Sequence, residues 1–275
     1  MTGVAVEVDD NGVAQLMLSR LEARNALSAQ LAAAIAEAAT TLRADTEVRV
    51  IVVCSADPRF FSVGADLKER QRLDGDALAV AREHSRAATR SLLALEVPTI
   101  AAISGMALGG GLELALTCDV VVADQTAVVG LPETGVGIIP GGGGTQLLPR
   151  KIGMGRAAEL IFSGRRLTAS EAHAYGIVDV LAEAGARPAA LSLADRLAEK
   201  SPVAQRNAKA ALRGGQDSPL DRALAVEDHH WRAAAHSSDY REGLAAFAQK
   251  RPPVWPPSSH PSSPAGSIHP TGARP

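Results

Sequence analysis

The 275-residue sequence predicts a mixed α/β core followed by an all-helical segment. Three observations predict it. Short runs rich in Val and Ile alternate with Ala-rich helical stretches as far as about residue 184. Two small-residue turns, Val63-Gly64-Ala65 and Gly109-Gly110-Gly111, each lead from an apolar run into a helical one. From Arg187 onward the pattern is helical throughout.

Taken in order, residues 4–8 and 13–18 read as two strands. Asp10-Asn11-Gly12 is the turn between them, because Asn-Gly between apolar runs favours a hairpin. Ser28 stands where an N-cap belongs, before an Ala-rich helix over 30–42. The run 48–54 is continuously β-branched or apolar, as suits a strand buried on both faces. A helix over 73–94 follows, and Pro98 separates it from a strand at 99–103. Next come a helix over 112–117, strands at 119–123 and 127–130, and a loop over 135–144 with six glycines in ten residues. Helices are expected at 146–149 and 156–162. A loop at 163–168 leads into a helix over 169–175 that ends at Gly176. A last strand at 177–181 precedes four helical runs, 189–199, 202–213, 220–231 and 238–250. Residues 251–275 hold half of the 16 prolines, a composition that predicts a disordered tail. The division expected is a core over 1–184, a helical segment over 185–250 and a tail over 251–275.

Composition excludes several classes. Hydrophobic residues make up 46% of the chain and aromatics 3%, so a sizeable core must be built from Ala, Val, Leu and Ile. A formal charge of -2 offers no basis for binding nucleic acid or an anionic membrane. No apolar run approaches the roughly 20 residues of a membrane span. The first residues, MTGVAVEVDDNG, lack a basic region and an apolar segment, which predicts no secretory signal. Cys54 and Cys118 sit in apolar contexts and are expected to be reduced thiols, in keeping with a cytoplasmic protein.

The chemistry concentrates at two carboxylates in apolar surroundings, Glu113 early in a helix and Glu133 after Pro132, 20 residues apart. Burial disfavours the ionised form and moves a carboxyl toward the range useful for proton transfer. The two glycine turns supply what carboxylates cannot. A residue without a side chain lets a ligand approach backbone N–H groups, and two such N–H groups aimed at one carbonyl oxygen stabilise an enolate.

The blocks FSVGADLKER, ALGGGLELALTCDVVVAD and GLPETGVGIIPGGGGTQLLPRKIG resemble the signatures of the crotonase superfamily, the enoyl-CoA hydratases and isomerases. LPETGVGIIPGGGGTQ and the closing FAQKRPP are similar in particular to the methylglutaconyl-CoA hydratase type. The resemblance implies the crotonase fold, a spiral of ββα repeats with a C-terminal helical segment that trimerises, two trimers commonly stacking. It implies an acyl-CoA thioester substrate, no separate cofactor and no metal. It makes Ala65 and Gly110 the oxyanion donors and Glu113 and Glu133 the catalytic acids and bases, since hydratases keep both carboxylates. Around them, Ala23, Arg24, Ala26, Gly64, Asp66, Leu67, Lys68, Gly109, Pro132 and Gly141 would lie along the coenzyme A ester, and Phe247 and Lys250 would reach a neighbouring subunit's nucleotide. The residues leave other roles open. Arg24 and Lys68 also suit solvated surface, Asp66 also suits a helix cap, and Phe247 also suits the core. Arg70, Arg72 and Arg82 read as a solvated helix face; the acyl chain stays open between a short straight one and a 3-methylglutaconyl one, whose distal carboxylate would need a cation such as one of these three.

Rival readings fail on context. Gly153-Met154-Gly155-Arg156-Ala157-Ala158 fits a dinucleotide motif, but no buried strand precedes it. There is no G-x-S-x-G, no H-E-x-x-H and no paired cysteine motif. His229-His230 reads as a surface pair. Some methylglutaconyl-CoA hydratase-like proteins bind RNA through a lysine-rich helix. The matching helix here, SAQLAAAIAEAATTLR, has no lysine, and phosphate affinity requires clustered cations.

Overall fold

The computed structural model describes residues 3–255. A six-stranded sheet has the order β1-β2-β3-β5-β7-β10, and a four-stranded sheet the order β4-β6-β8-β9. β1 (Val4–Val8) and β2 (Val13–Leu18) form the expected antiparallel hairpin. From β2 to β10 every neighbouring pair in the large sheet is parallel.

The two sheets are joined by repetition. β3 (Val50–Ser55), β5 (Thr99–Ile103) and β7 (Val120–Asp124) lie side by side in the large sheet. Each turns a corner into a three-residue strand of the small sheet: β4 (Phe60–Ser62), β6 (Met106–Leu108) and β8 (Val128–Gly130). Helices or a 3-10 turn follow each pair, which gives the spiral of ββα units. The corners stack on one another. Asp124 accepts hydrogen bonds from Ser104 Oγ and Thr126 Oγ1, each 2.5 Å, and Gly105 N–H donates to Thr126 Oγ1 at 2.9 Å. A side chain at Gly105, where φ is +61°, would collide with the Arg59 carbonyl of the preceding corner.

The large sheet is covered on both faces. Ile51 and Val53 point into a core shared with α1 (Ala29–Ala44), α3 (Gly75–Leu93) and the small sheet. Val50, Val52 and Cys54 point the other way, onto α8 (Ala186–Ala198). Ala186, Ala190, Ala194 and Ala198 recur every fourth residue and form the stripe that α8 lays on the sheet. The helical segment predicted over 185–250 therefore begins as part of the core's own packing. α9 (Pro202–Gly215), α10 (Leu220–Ala235) and α11 (Ser238–Gln249) extend outward from it.

Several expectations need correction. Residues 163–168 were expected to be loop, but Arg166–Thr168 forms β9, antiparallel to β8. The helix expected at 146–149 is α5, Gly144–Ile152, and it runs through Pro149. α4 begins at Gly110 and ends at Ala115, earlier than the run 112–117 suggested. The last strand is β10, Val180–Ala182. Of the expected tail, the first five residues are held. Arg251 pairs with Glu242 at 2.6 Å, Val254 N–H donates to the same carboxylate, and Trp255 Nε1 donates to the Glu199 carbonyl at 2.8 Å. The remainder, with His260 and His269, lies outside the described residues.

Among the described residues, no helix is long and apolar enough to cross a membrane, and no group of three or more His, Cys, Asp or Glu could hold a metal ion. Gly153 follows α5 and opens α6 (Met154–Ser163), so no strand leads into the dinucleotide-like motif. Cys54 and Cys118 are free and buried, and burial pushes their thiols up to about 11 and about 12.

Candidate active site

The site is assembled where the first two ββα units meet. After β4 the chain turns through Gly64, whose φ is +87° and whose missing side chain would stand 2.6 Å from the Leu108 carbonyl. Only glycine fits that approach. The turn is clamped from outside: Leu27 N–H donates to the Gly64 carbonyl at 2.7 Å, and Asp66 N–H donates to the Leu27 carbonyl at 3.1 Å. These bonds tie the ARNAL segment to the VGAD segment in one parallel bridge. The Ala65 N–H lies between them and has no partner among the hydrogen bonds of the described residues.

The second turn faces the first. After β6, Gly109 adopts φ 52°, ψ −125°, and its N–H donates to the Gly130 carbonyl at 2.9 Å. Gly110 then opens α4 (Gly110–Ala115), so its N–H has no intrahelical acceptor, and it has no other among the hydrogen bonds of the described residues. The two turns touch, because a side chain on Gly64 would come within 3.2 Å of the Gly110 nitrogen. Two open backbone donors, from Ala65 and Gly110, thus flank one spot.

Both glutamates reach this spot. Glu113 is 4% exposed. Its Oε1 accepts the N–H groups of Gly142 and Gly144 at 2.8 and 2.7 Å, leaving Oε2 free of protein donors. Burial raises its pKa, while the N–H groups of Gly144, Gly142 and Gly143 and the charge of Arg70 oppose that rise. The glycine-rich loop therefore wraps a carboxylate, and a side chain at Gly142 would meet Glu113 Oε2 at 2.7 Å. Glu133 lies on the 3-10 turn Pro132–Val136, where Pro132 begins the turn at a position that needs no N–H donor. Its Oε1 is 2.9 Å from where a Gly109 side chain would start, and its Oε2 is covered and has no hydrogen-bond partner. Burial, reinforced by the negative charge of Glu113, pushes the Glu133 carboxyl up to about 7. Its own backbone N–H and Arg70 pull the other way.

The remaining predicted residues divide. Ala23 and Ala26 flank a pair of left-handed residues, Arg24 at φ 51° and Asn25 at φ 53°. Asn25 makes that conformation tolerable: its buried amide donates to Ser55 Oγ and the Phe61 carbonyl, each at 2.9 Å, and more weakly to the Leu18 carbonyl. Asn25 was missed in the sequence because one amide in a loop carries no periodic signal. Arg24, Leu67 and Lys68 are exposed along the open side of the Gly64 turn. Asp66 is committed to structure. It caps Lys68 N–H and Glu69 N–H at 3.1 Å and pairs with Arg20 at 2.7 Å. Burial would raise its pKa, but Arg20 and those N–H groups hold it below the usual carboxylate range. Gly141 lies beside Arg82, 3.4 Å from its Nε to the glycine's missing side chain. Phe247 on α11 and Lys250, the left-handed residue that caps its end, stand apart, and α11 packs on α10. Phe247 is 86% exposed, so the core placement for it is excluded.

Of the arginines read as solvated surface, Arg82 is exposed and Arg70 half-buried, and both lie near the glutamates and the glycine loop. Arg70 acts electrostatically on both glutamates, and Arg82 borders the glycine loop. A separate cavity of about 280 Å³ lies between β3 and the start of α8 and contains none of the predicted site residues. Its acidic side chains are already satisfied, Asp57 by Arg59 and Asp124 by Ser104 and Thr126.

Residues 9–257 match the model of the family described as enoyl-CoA hydratase/isomerase. The mitochondrial methylglutaconyl-CoA hydratase of Mus musculus is 43% identical over 91% of this chain and 81% of its own length. The mitochondrial enoyl-CoA hydratase domain-containing protein 2 of Homo sapiens is 41% identical over 90% of this chain and 86% of its own. A crystal structure of an enoyl-CoA hydratase from Bacillus anthracis superposes with a TM-score of 0.89 at 38% identity, covering 92% of this chain and 98% of that one.

Proposed function

The chain belongs to the enoyl-CoA hydratase/isomerase family, and from that premise we propose how its residues work as an enoyl-CoA hydratase. The thioester oxygen of a trans-2-enoyl-CoA lies between the N–H groups of Ala65 and Gly110. Water adds to C3, the C2–C3 π electrons move toward the carbonyl, and negative charge collects on that oxygen. Each preorganised donor contributes roughly 3–4 kcal/mol to the transition state. Glu113 takes the proton of the attacking water on its free Oε2. Glu133, protonated at rest, gives a proton to C2 on the same face, and the product is a 3-hydroxyacyl-CoA. The pair then resets by passing the proton from Glu113 back to Glu133 through solvent. Moving a double bond needs one carboxylate to shuttle one proton, whereas hydration needs one for water and one for carbon.

The observation that carries this reading is the meeting of both carboxylates at the Gly109-Gly110 turn, beside two N–H groups with no acceptor among the described residues. The test is the loss of conjugated-enoyl absorbance with crotonyl-CoA. Glu113→Gln and Glu133→Gln are each expected to lower kcat by 10³-fold or more, on the order of 4 kcal/mol, with CoA-ester affinity nearly unchanged. Near-normal turnover in either variant would remove that residue from the mechanism.

The coenzyme A ester would run along the open side formed by Ala23, Arg24, Ala26, Leu67 and Lys68. No separate cofactor is required, because every step uses groups on the chain or water. A homotrimer, or two trimers stacked, fits the broad apolar exposure on the outer helices, among them Leu212, Leu220, Trp231, Leu244 and Phe247. Reduced, buried cysteines are in keeping with a cytoplasmic enzyme.

A further inference from the structure

We propose that Ser62, tethered by Asn25, is a positioning residue that sets the distance between the two oxyanion donors, the N–H groups of Ala65 and Gly110. This rests on the hydratase reading and names a residue on which its rate depends.

The two donors come from different ββα units, so no single element fixes their separation. The strand pairing beneath them does not fix it either. β4 and β6 run parallel, but their register shifts between Phe60, which faces Met106, and Ser62, which faces Ala107. A shift of this kind re-aims the end of a strand and interrupts its ladder. Ser62 takes over at that point, and it is fully buried. Its Oγ donates to the Asn25 carbonyl at 2.7 Å and accepts the Gly64 N–H at 3.3 Å, which holds the first turn. Its backbone and Cβ meet the second turn. A side chain on Gly111 would stand 2.3 Å from the Ser62 carbonyl oxygen and 2.9 Å from its Cβ. Ser62 thus touches both turns, each time through the chain neighbour of a donor residue.

Asn25 makes the contact rigid. Its amide ties the end of β3, through Ser55 Oγ, to the middle of β4, through the Phe61 carbonyl. The Arg24 carbonyl accepts the Val63 N–H at 3.2 Å, beside the bond from Ser62 Oγ to the Asn25 carbonyl. Both residues adopt the left-handed backbone that presents these carbonyls. That backbone is costly for a residue with a side chain, and Asn25 Oδ1 is also buried without a hydrogen-bond partner among the described residues. Costs of this kind persist where the surrounding structure is built around a required geometry. Oxyanion donors require one, because groups that face developing charge must be held within about 0.5 Å.

The experiment reads the oxyanion site with acetoacetyl-CoA, an ester with no double bond to hydrate and whose enolate absorbs in the near ultraviolet. Two donors aimed at the thioester oxygen should give the ester a lower apparent pKa when bound to wild-type enzyme than when free. Ser62→Ala should raise that bound pKa by about one unit and lower kcat for crotonyl-CoA about tenfold, with KM changed by about twofold or less. Ser62→Cys, with a weak S–H donor, should recover part of both effects. Lys209→Met, a destabilising change at the start of β5, should move neither. An unchanged bound pKa in Ser62→Ala would overturn the proposal and leave Ser62 a structural residue, whatever its effect on unfolding. Wild-type enzyme that binds acetoacetyl-CoA without lowering its pKa would remove Ala65 and Gly110 as donors and overturn the proposal with them. A lowered pKa without hydration of crotonyl-CoA would sink the hydratase reading alone, and the bound pKa in the Ser62 variants would still decide this proposal.

Discussion

Glu113 and Glu133 approach the same glycine turn, but their surroundings differ. Two N–H donors occupy one oxygen of Glu113, so a proton can enter or leave only through the other. Glu133 has no donor on its covered oxygen and carries a pKa of about 7 against an ordinary 4.5. The proposed mechanism requires Glu133 protonated and Glu113 ionised, so kcat/KM for crotonyl-CoA should fall as pH rises through about 7. It should also fall at acid pH as Glu113 gains its proton; a stopped assay across pH 5–9 checks both limbs. The same burial works against the fold. Between pH 4.5 and 7 the folded protein keeps a proton that the unfolded chain releases, so stability declines with rising pH over that window. Glu133→Gln removes this cost, and urea unfolding should find the variant more stable than wild type at pH 8 by on the order of 1–2 kcal/mol, with the gap closing toward pH 4.5. The glutamates were legible in the sequence because a charged residue in an apolar run demands a reason. The charge of Arg70 on both glutamates was not, since an arginine in a charged helical run carries no sign of what it faces.

At the scale of elements, α9 is fastened to the sheet by a buried charge. Lys209 is 7% exposed, and its Nζ donates to the Val97 carbonyl at 2.7 Å and pairs with Asp119 at 2.7 Å. Asp119 also receives Arg213 at 2.7 Å and the Thr99 N–H at 2.8 Å, so one carboxylate joins α9 to the starts of β5 and β7. Lys209→Met keeps the volume but leaves the Val97 carbonyl without its donor and Asp119 with one cation. It should lower stability by about 2–3 kcal/mol with little effect on kcat, measured by denaturation beside the crotonyl-CoA assay. Helices and long strands were readable from periodicity, and Ser28 caps α1 as expected, its Oγ accepting from Leu31 N–H at 3.2 Å. β9 was not readable. Three residues, Arg-Leu-Thr, with a single buried side chain carry no alternation, and only pairing with β8 makes them a strand.

For the molecule as a whole, stacked corners place every β-to-β passage along one seam, and the active site lies on that seam. The outward helices leave an apolar surface exposed among the described residues. Sedimentation at micromolar concentration should show trimers or hexamers, and Phe247→Ala should raise KM for CoA esters more than it lowers kcat. An active monomer on dilution, with unchanged CoA-ester affinity, would remove Phe247 and Lys250 from the site. The block order along the chain made the fold class legible. The way α8 closes the sheet's second face was not, because four alanines spaced by four fit a helix on any surface.

The donors proposed to face the thioester oxygen belong to the main chain. Almost any replacement at Ala65 leaves its N–H in place, and only proline deletes it. Evolution can therefore alter the two carboxylates without dismantling the proposed enolate-stabilising hole. Such a scaffold passes on its capacity for carbanion chemistry intact, while the reaction carried out is rewritten one side chain at a time.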